Sequence, residues 1–242
     1  MGFDRIRIKS NARLFYKNNT GTSICSLLIY LGVTLGVTIA FSIIGMITGF
    51  AAGAGGRGEE PSAAFMAGTY IFSFAVGIGI MPLIMGLLNW YRRTIYEKTP
   101  LSEMFCFYSN GHFLGSVGTQ LLMSLYIWLW SLLFVVPGII KSYSYSQTMF
   151  IKAENPDISA SRAIELSKIM MEGHKMDMLM LHLSFFGWAL LSSITYNILG
   201  IVYVFPYFYA SLAFAYEEIK ADAAARGVID ISEISQPQEE GF

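Results

Sequence analysis

The stretch LLFVVPGIIKSYSYSQTMFIKAENPD, residues 132–157, decides the fold. Leu132 to Ile140 is almost wholly apolar, with Pro137-Gly138 inside it. Lys141 follows with a run of serines and tyrosines, and then apolar Met149, Phe150 and Ile151 return. The stretch reads either as one bent membrane helix leading into a soluble segment or as a tight hairpin of two helices. Charge separates the two. One bent span over Leu114–Phe150 gives five spans. It leaves Arg5, Arg7, Lys9, Arg13, Lys17, Arg92, Arg93 and Lys98 inside, half of the 16 basic residues. A reversal at Pro137-Gly138 adds Lys152, Arg162, Lys168, Lys175, Lys220 and Arg226, so that only Arg57 and Lys141 stay outside. Basic residues collect on the cytoplasmic side of membrane proteins. The hairpin is therefore predicted, giving six spans with both termini cytoplasmic. Its short return segment, roughly 16 residues, reaches only about 24 Å against a hydrocarbon core of about 30 Å.

Composition agrees with a bilayer as solvent. The 242 residues are 54% hydrophobic and 14% charged, whereas a soluble domain carries about 25% charged residues. The net charge of −1 gives no field that would attract nucleic acid. Cys25 and Cys106 support neither a disulfide framework nor a cysteine zinc site, and they read as free, buried thiols. The first apolar run is long, and polar residues precede it. It therefore reads as a retained span, not a cleaved signal.

The predicted layout is all-α: a polytopic membrane helix bundle of six transmembrane helices with two short interfacial amphipathic helices. Residues 1–22 form a basic amphipathic segment, either a surface helix facing anionic lipid or a flank that sets orientation. One transmembrane domain fills 23–219, with spans near 24–50, 65–90, 114–136, 138–153, 177–197 and 200–217. In the first span Gly32, Gly36, Gly45 and Gly49 make two G-x-x-x-G pairs, spacing that lets another helix approach closely. Residues 51–64 read as a flexible loop. Pro82 is expected to kink the second span and Pro206 the last. Leu101, Met104, Phe105 and Tyr108 predict one interfacial helix by their spacing. Ala160 to Met171 predicts the other, capped by Asp157 or Ser159 and stopped by Gly173. The uncharged run Met178–Tyr216 is about twice as long as one span needs, so it turns near Asn197–Gly200. The acidic tail, 227–242, reads as disordered.

No catalytic pattern is present: no H-E-x-x-H, no G-x-S-x-G and no glycine-rich phosphate loop. His112, His174 and His182 lack metal-ligand spacing, although Asp177 lies three residues from His174. Alternating methionines at 176, 178 and 180 diverge on a helix and do not converge on copper. An ionisable residue inside a membrane is a candidate site by default, which singles out Lys141. On a helix it shares a face with Tyr145, while Tyr143 points elsewhere. The bland alternative is an interface anchor, with serines bonded to nearby carbonyls.

The segments SLYIWLWSLLFVVPGIIKSYSYS, FIKAENPDISASRAIELSKIMMEGHK, LSFFGWALL and PYFYASLAFAYEE carry a resemblance. Over roughly residues 80–219 they closely resemble an uncharacterised bacterial integral-membrane family, a domain of unknown function with series number 975. A looser likeness is to the membrane domain attached to some glycerophosphodiester phosphodiesterases, whose soluble catalytic domain has no counterpart in this sequence. The resemblance implies a multi-pass protein of the bacterial cytoplasmic membrane, and it transfers no catalytic residue. Its signature here includes Pro137, Gly138, Lys141, Tyr143, Tyr145, Asn155, Pro156, Asp157, Ser167, Gly173 and His174. Of these, Lys141, Tyr143, Tyr145, Asn155, Asp157, Ser167 and His174 are the candidate ligand- or partner-binding residues.

Together these readings predict a non-enzymatic membrane protein, with no cofactor and no metal. It is expected to bind a membrane lipid, a hydrophobic peptide or another membrane protein, or to form a homo-oligomer through its glycine-rich spans. A small-molecule transporter or exporter component is the alternative.

Overall fold

The structure is a computed structural model that describes residues 3–53, 63–109 and 111–235, with only the backbone course given for 47–53 and 63–65. It is all-helical among the described residues. The predicted loop at 51–64 is corrected at its ends, where 51–53 close one helix and 63–64 open the next; residues 54–62 lie outside the described part, as do the surroundings of the glycine at 49.

Helix α1 (Arg5–Asn18) starts where the Asp4 carboxylate accepts the Ile6 and Arg7 amides, at 2.9 and 3.2 Å. Such a side-chain acceptor satisfies donors that a first turn leaves free. Helices α2 (Thr20–Gly53) and α3 (Ala63–Thr94) run antiparallel. Phe41 stacks on Phe72 at 5.2 Å, and the Tyr91 hydroxyl reaches the Ser23 carbonyl. Pro82 lies inside an unbroken α3. After α3 the chain folds back on it. A 3₁₀ turn (Leu101–Phe105) and α4 (Cys106–Ser109) bury Met104 and Phe107. The expected stripe of 101, 104, 105 and 108 is corrected here: Phe105 and Tyr108 are exposed, because a 3₁₀ turn repeats every three residues.

Helix α5 (Phe113–Leu133) ends at Phe134, whose extended backbone (φ −162°, ψ 150°) reverses the chain into α6 (Val135–Ser144). Three contacts establish an antiparallel hairpin. A Cβ on Gly138 would strike the Ser131 side chain. Lys141 Nζ lies 4.5 Å from the Trp130 ring centre. Tyr126 and Tyr145 meet at 6.3 Å. The hairpin stands, but its turn is Phe134, not Pro137-Gly138. Pro137 sits in the first turn of α6, where its missing N–H is tolerated. Gly138 serves the close approach to α5.

Three residues later α7 (Thr148–Glu154) continues the return. Ser159 caps α8 (Ala160–Met170) by accepting the Arg162 amide at 3.3 Å, and Gly173 ends that region in the left-handed conformation (φ 89°). Helices α9 (Lys175–Leu183) and α10 (Phe186–Ile194) run to a turn in which Tyr196 and Asn197 take positive φ. The chain then returns through a π-helical segment (Gly200–Val204) and α11 (Phe205–Ala225). Pro206 opens α11 and does not bend it. Trp188 meets Tyr203 at 5.4 Å and Phe185 meets Tyr207 at 5.0 Å, so this pair too is antiparallel. Helix α12 (Ile231–Ile234) buries Ile234 completely. The tail is therefore folded through residue 235, and the expectation of disorder over 227–235 is corrected.

Among the described residues four helical stretches are long and apolar enough to cross a membrane: Thr20–Met46, Met66–Thr94, Phe113–Leu133 and, through α9 and α10, Lys175–Ile194. The core gathers at one end of the molecule. There α1 contributes Ile8, Ala12 and Phe15, α3 contributes Trp90 and Tyr91, and α11 contributes Ala210, Ala213 and Tyr216. Large apolar side chains elsewhere are exposed, among them Leu35, Ile39, Phe74, Trp128, Leu132 and Leu190. That distribution is expected where lipid replaces water as the solvent. Cys25 is exposed on α2 and Cys106 half-buried, which corrects the reading of both as buried thiols. Position 25 is open because α2 packs sparsely against its own chain.

Candidate functional site

The candidate residues separate into three joints. At the first, Lys141 and Tyr145 flank Trp130 of α5, and Tyr143 turns the other way, its ring edge-on to His182 at 5.5 Å. Ser167 is fully buried. Its hydroxyl donates to the Ser144 carbonyl at 2.9 Å and accepts the Gln147 amide at 3.1 Å. It thus satisfies two backbone groups released where α6 gives way to α7. Lys168 Nζ lies over the Tyr145 ring at 5.7 Å. The KSYSYS run is therefore the seam between α5, α6, α8 and α9, and its serines 142, 144 and 146 bond to carbonyls of their own helix.

At the second joint Asn155 Oδ1 accepts the Asp157 amide at 3.1 Å, and its amide nitrogen donates to the Glu233 carbonyl at 2.9 Å. The same turn folds around Lys152, whose ammonium donates to the carbonyls of Pro156 and Ile158, both at 2.6 Å. Arg162 grips Glu233 through Nε and, at 2.9 Å, through Nη2. The Arg162 guanidinium holds the Glu233 carboxyl below its ordinary range. A carboxylate shifted down contributes stability above its unfolded pKa, about 4.3, and loses it as pH falls through the folded value. Residues 231–235 are therefore expected to keep their protection at neutral pH and to exchange faster below about pH 4. Hydrogen exchange corrected for intrinsic rates reads this directly, and unchanged protection on acidification would count against the clasp.

At the third joint His174 Nε2 lies 3.0 Å from Asp222 and Nδ1 lies 3.4 Å from Asp177, which gives substance to the expected His174–Asp177 pair. Arg226 also reaches Asp222, at 2.8 Å. The hydrogen bond to His174, with Arg226 alongside, holds the Asp222 carboxyl below the usual carboxylate range. This joint ties the start of α9 to α11. Among the described residues no group of three His, Cys, Asp or Glu is placed to hold a metal ion.

A fourth cluster escaped the sequence reading. Glu154, with only 7% of its side chain exposed, accepts from the Tyr216 hydroxyl at 2.6 Å, from Lys220 at 2.9 Å and from Ser235. Arg92 approaches it to 3.6 Å. Glu217 lies 3.2 Å from Lys220 and 4.0 Å from Arg92. Two carboxylates and two cations thus balance in the core, on the ends of α3, α7 and α11. Buried charges persist only when paired and hydrogen-bonded. The arrangement locks three helices to one another and to the segment after α12.

Residues 132–223 match the model of a family described as protein of unknown function (DUF975). No curated protein and no solved structure matches the chain, so the looser likeness to the phosphodiesterase membrane domain has no match behind it. The matched segment runs from the α5–α6 turn into α11. It contains all seven candidate residues as well as Glu154, Glu217 and Lys220.

Proposed function

We propose that the chain is a non-enzymatic, multi-pass protein of the bacterial cytoplasmic membrane. In this reading it binds an apolar ligand along its α2–α3 limb: a lipid, a hydrophobic peptide or the helix of a partner protein. One observation carries it. Only 6% of the most apolar window of Thr20–Met46 is buried against the rest of the chain. A helix so sparsely packed takes its neighbours from outside. Gly32 and Gly36 have no atom within 4 Å of where a Cβ would stand, so another helix has room to approach the backbone closely.

The same reading has six crossings with both termini inside. Three are composite: α6 with α7, α9 with α10, and the π-helical segment with α11. Starting the return at Val135 lengthens the fourth crossing to Val135–Glu154, about 30 Å at 1.5 Å per residue and sufficient for the hydrocarbon core. In a background lacking Cys25 and Cys106, a cysteine at position 62 is expected to react with an impermeant reagent added to intact cells, and one at 161 is not. Reaction at 161 would remove the six-crossing arrangement.

Binding is tested with cysteines placed along α2 and cross-linked in native membranes. A product of fixed mass is expected, and Gly32→Leu with Gly36→Leu is expected to abolish it while the protein still folds. No product at any α2 position, together with solute flux in vesicles, would replace this reading by transport.

A further inference from the structure

We propose that the outward face of α1 is a binding site for the phosphate of an anionic phospholipid headgroup; this rests on the membrane reading above. Lys9, Arg13 and Lys17 follow one another at i, i+4 and i+8, so they form one row along the helix. With Ile6, Leu14 and Tyr207 they line an open groove of about 520 Å³. No carboxylate lines it. The opposite face of α1 is different in kind: there Arg7 pairs with Glu218 at 2.8 Å, and Glu218 also accepts the Asp4 amide.

Three features make the groove more than a charged flank. Lys9 is placed, not free: its ammonium donates to Ser184 at 3.1 Å and lies 4.8 Å from the Phe185 ring centre. Burial, together with Arg13 and Arg5, pulls its pKa down, so an anion among these cations would relieve their repulsion. Ile6 and Leu14, 83% and 59% exposed, stand beside the cations. A free phosphate or an acidic soluble polymer has no use for such side chains, whereas a lipid meets both. The groove also sits at a seam. Its Lys9 side touches Ser184, Phe185 and Tyr207 of the apolar α9–α11 hairpin, while Arg7 and Asp4 point to the charged end. Cations beside exposed apolar side chains at such a seam suit a headgroup whose acyl chains lie against the hairpin. A basic residue near an anionic membrane surface gains roughly fivefold in binding.

The test uses the full-length protein in nanodiscs of phosphatidylcholine doped with phosphatidylglycerol, released into a native mass spectrometer. The wild-type chain is expected to retain phosphatidylglycerol. Arg13→Gln/Lys17→Gln, which alters exposed residues only, is expected to lose at least tenfold of that retention at unchanged thermal stability. Ile6→Ser/Leu14→Ser is expected to weaken it as well. Equal retention of the two lipids, or retention unchanged in Arg13→Gln/Lys17→Gln, overturns the site and leaves the membrane reading standing. Inorganic phosphate displacing the lipid at equal concentration would make this a free-phosphate site and overturn the lipid assignment. Tighter binding of a soluble acidic peptide or RNA would do the same. A chain that stays monodisperse without detergent or lipid overturns the membrane reading and this inference together.

Discussion

Replacing Glu154 with alanine is expected to destabilise the folded chain by about 3–5 kcal/mol, the range for breaking a buried ion pair from one side. The carboxylate is 7% exposed and accepts hydrogen bonds from Tyr216, Lys220 and Ser235. Its loss leaves Arg92 and Lys220 sharing Glu217 alone. Arg92 Nε already has no hydrogen-bond partner, nor has Glu217 Oε1, so the network holds little reserve. Lys220 keeps Glu217 at 3.2 Å, which places the expected loss toward the lower end of that range. Glu165→Ala is the control. Its partner Arg162 is on the surface, and Glu165 is 56% exposed, so the change is expected to stay under about 1 kcal/mol. An unfolding titration from mild detergent into sodium dodecyl sulfate reads both. Equal midpoints for the two variants would mean that the Glu154 cluster contributes nothing beyond an exposed pair.

The hairpin was legible from charge and not from its turn residues. Sidedness is a property of the whole chain, and the two readings of this stretch differ by six cations in the count. The turn is a local matter. Pro137-Gly138 looks like punctuation, but proline is equally at home in the first turn of a helix. Phe134, an ordinary apolar residue, carries the reversal instead. The later hairpin was easier to place, since the uncharged run was far too long for one span and Asn197 tolerates the left-handed backbone it adopts.

Among the site residues, those with a backbone duty were legible. Asn155 makes the turn its type predicts, and Gly173 takes the positive φ that ends its helix region. The Glu154 cluster was not, because Arg92, Glu154, Glu217 and Lys220 each stand at the end of an apolar run and read one at a time as flanks. A signal was available: the predicted six-span layout puts the ends of α3, α7 and α11 on the same side, so opposite charges there would be expected to meet. Ser167 was singled out through the resemblance, but its duty to the backbone was not legible, because the groups it bonds lie 20 and 23 residues earlier.

The glycines show the same division, and they yield the second large effect. Gly86→Ala is expected to lose about 1–3 kcal/mol or more, the usual range for overpacking. A Cβ at Gly86 would stand 1.9 Å from the Met104 carbonyl oxygen and 2.7 Å from its carbon. Both are backbone atoms, so no rotamer change relieves the contact and the 3₁₀ turn itself must move. That turn is held from several sides. Met104 is completely buried, Trp90 Nε1 donates to the Thr99 carbonyl at 3.1 Å, and the Arg93–Glu103 pair closes at 2.9 Å. Gly36→Ala is the opposite case. Nothing stands within 4 Å of its Cβ position, and alanine is favoured over glycine in a helix by up to about 1 kcal/mol. Folding is therefore expected to be unharmed or slightly strengthened there. Gly32, Gly36 and Gly45 are thus not required by the chain's own packing, which leaves room there for the helix approach proposed above. Gly86, which no motif singles out, is a glycine the fold depends on, as Gly138 is. If Gly86→Ala unfolds at the wild-type midpoint, the docking of 95–109 on α3 is looser than described. If Gly36→Ala loses as much as Gly86→Ala, then α2 is packed within its own chain and the open-limb basis of the proposed function fails.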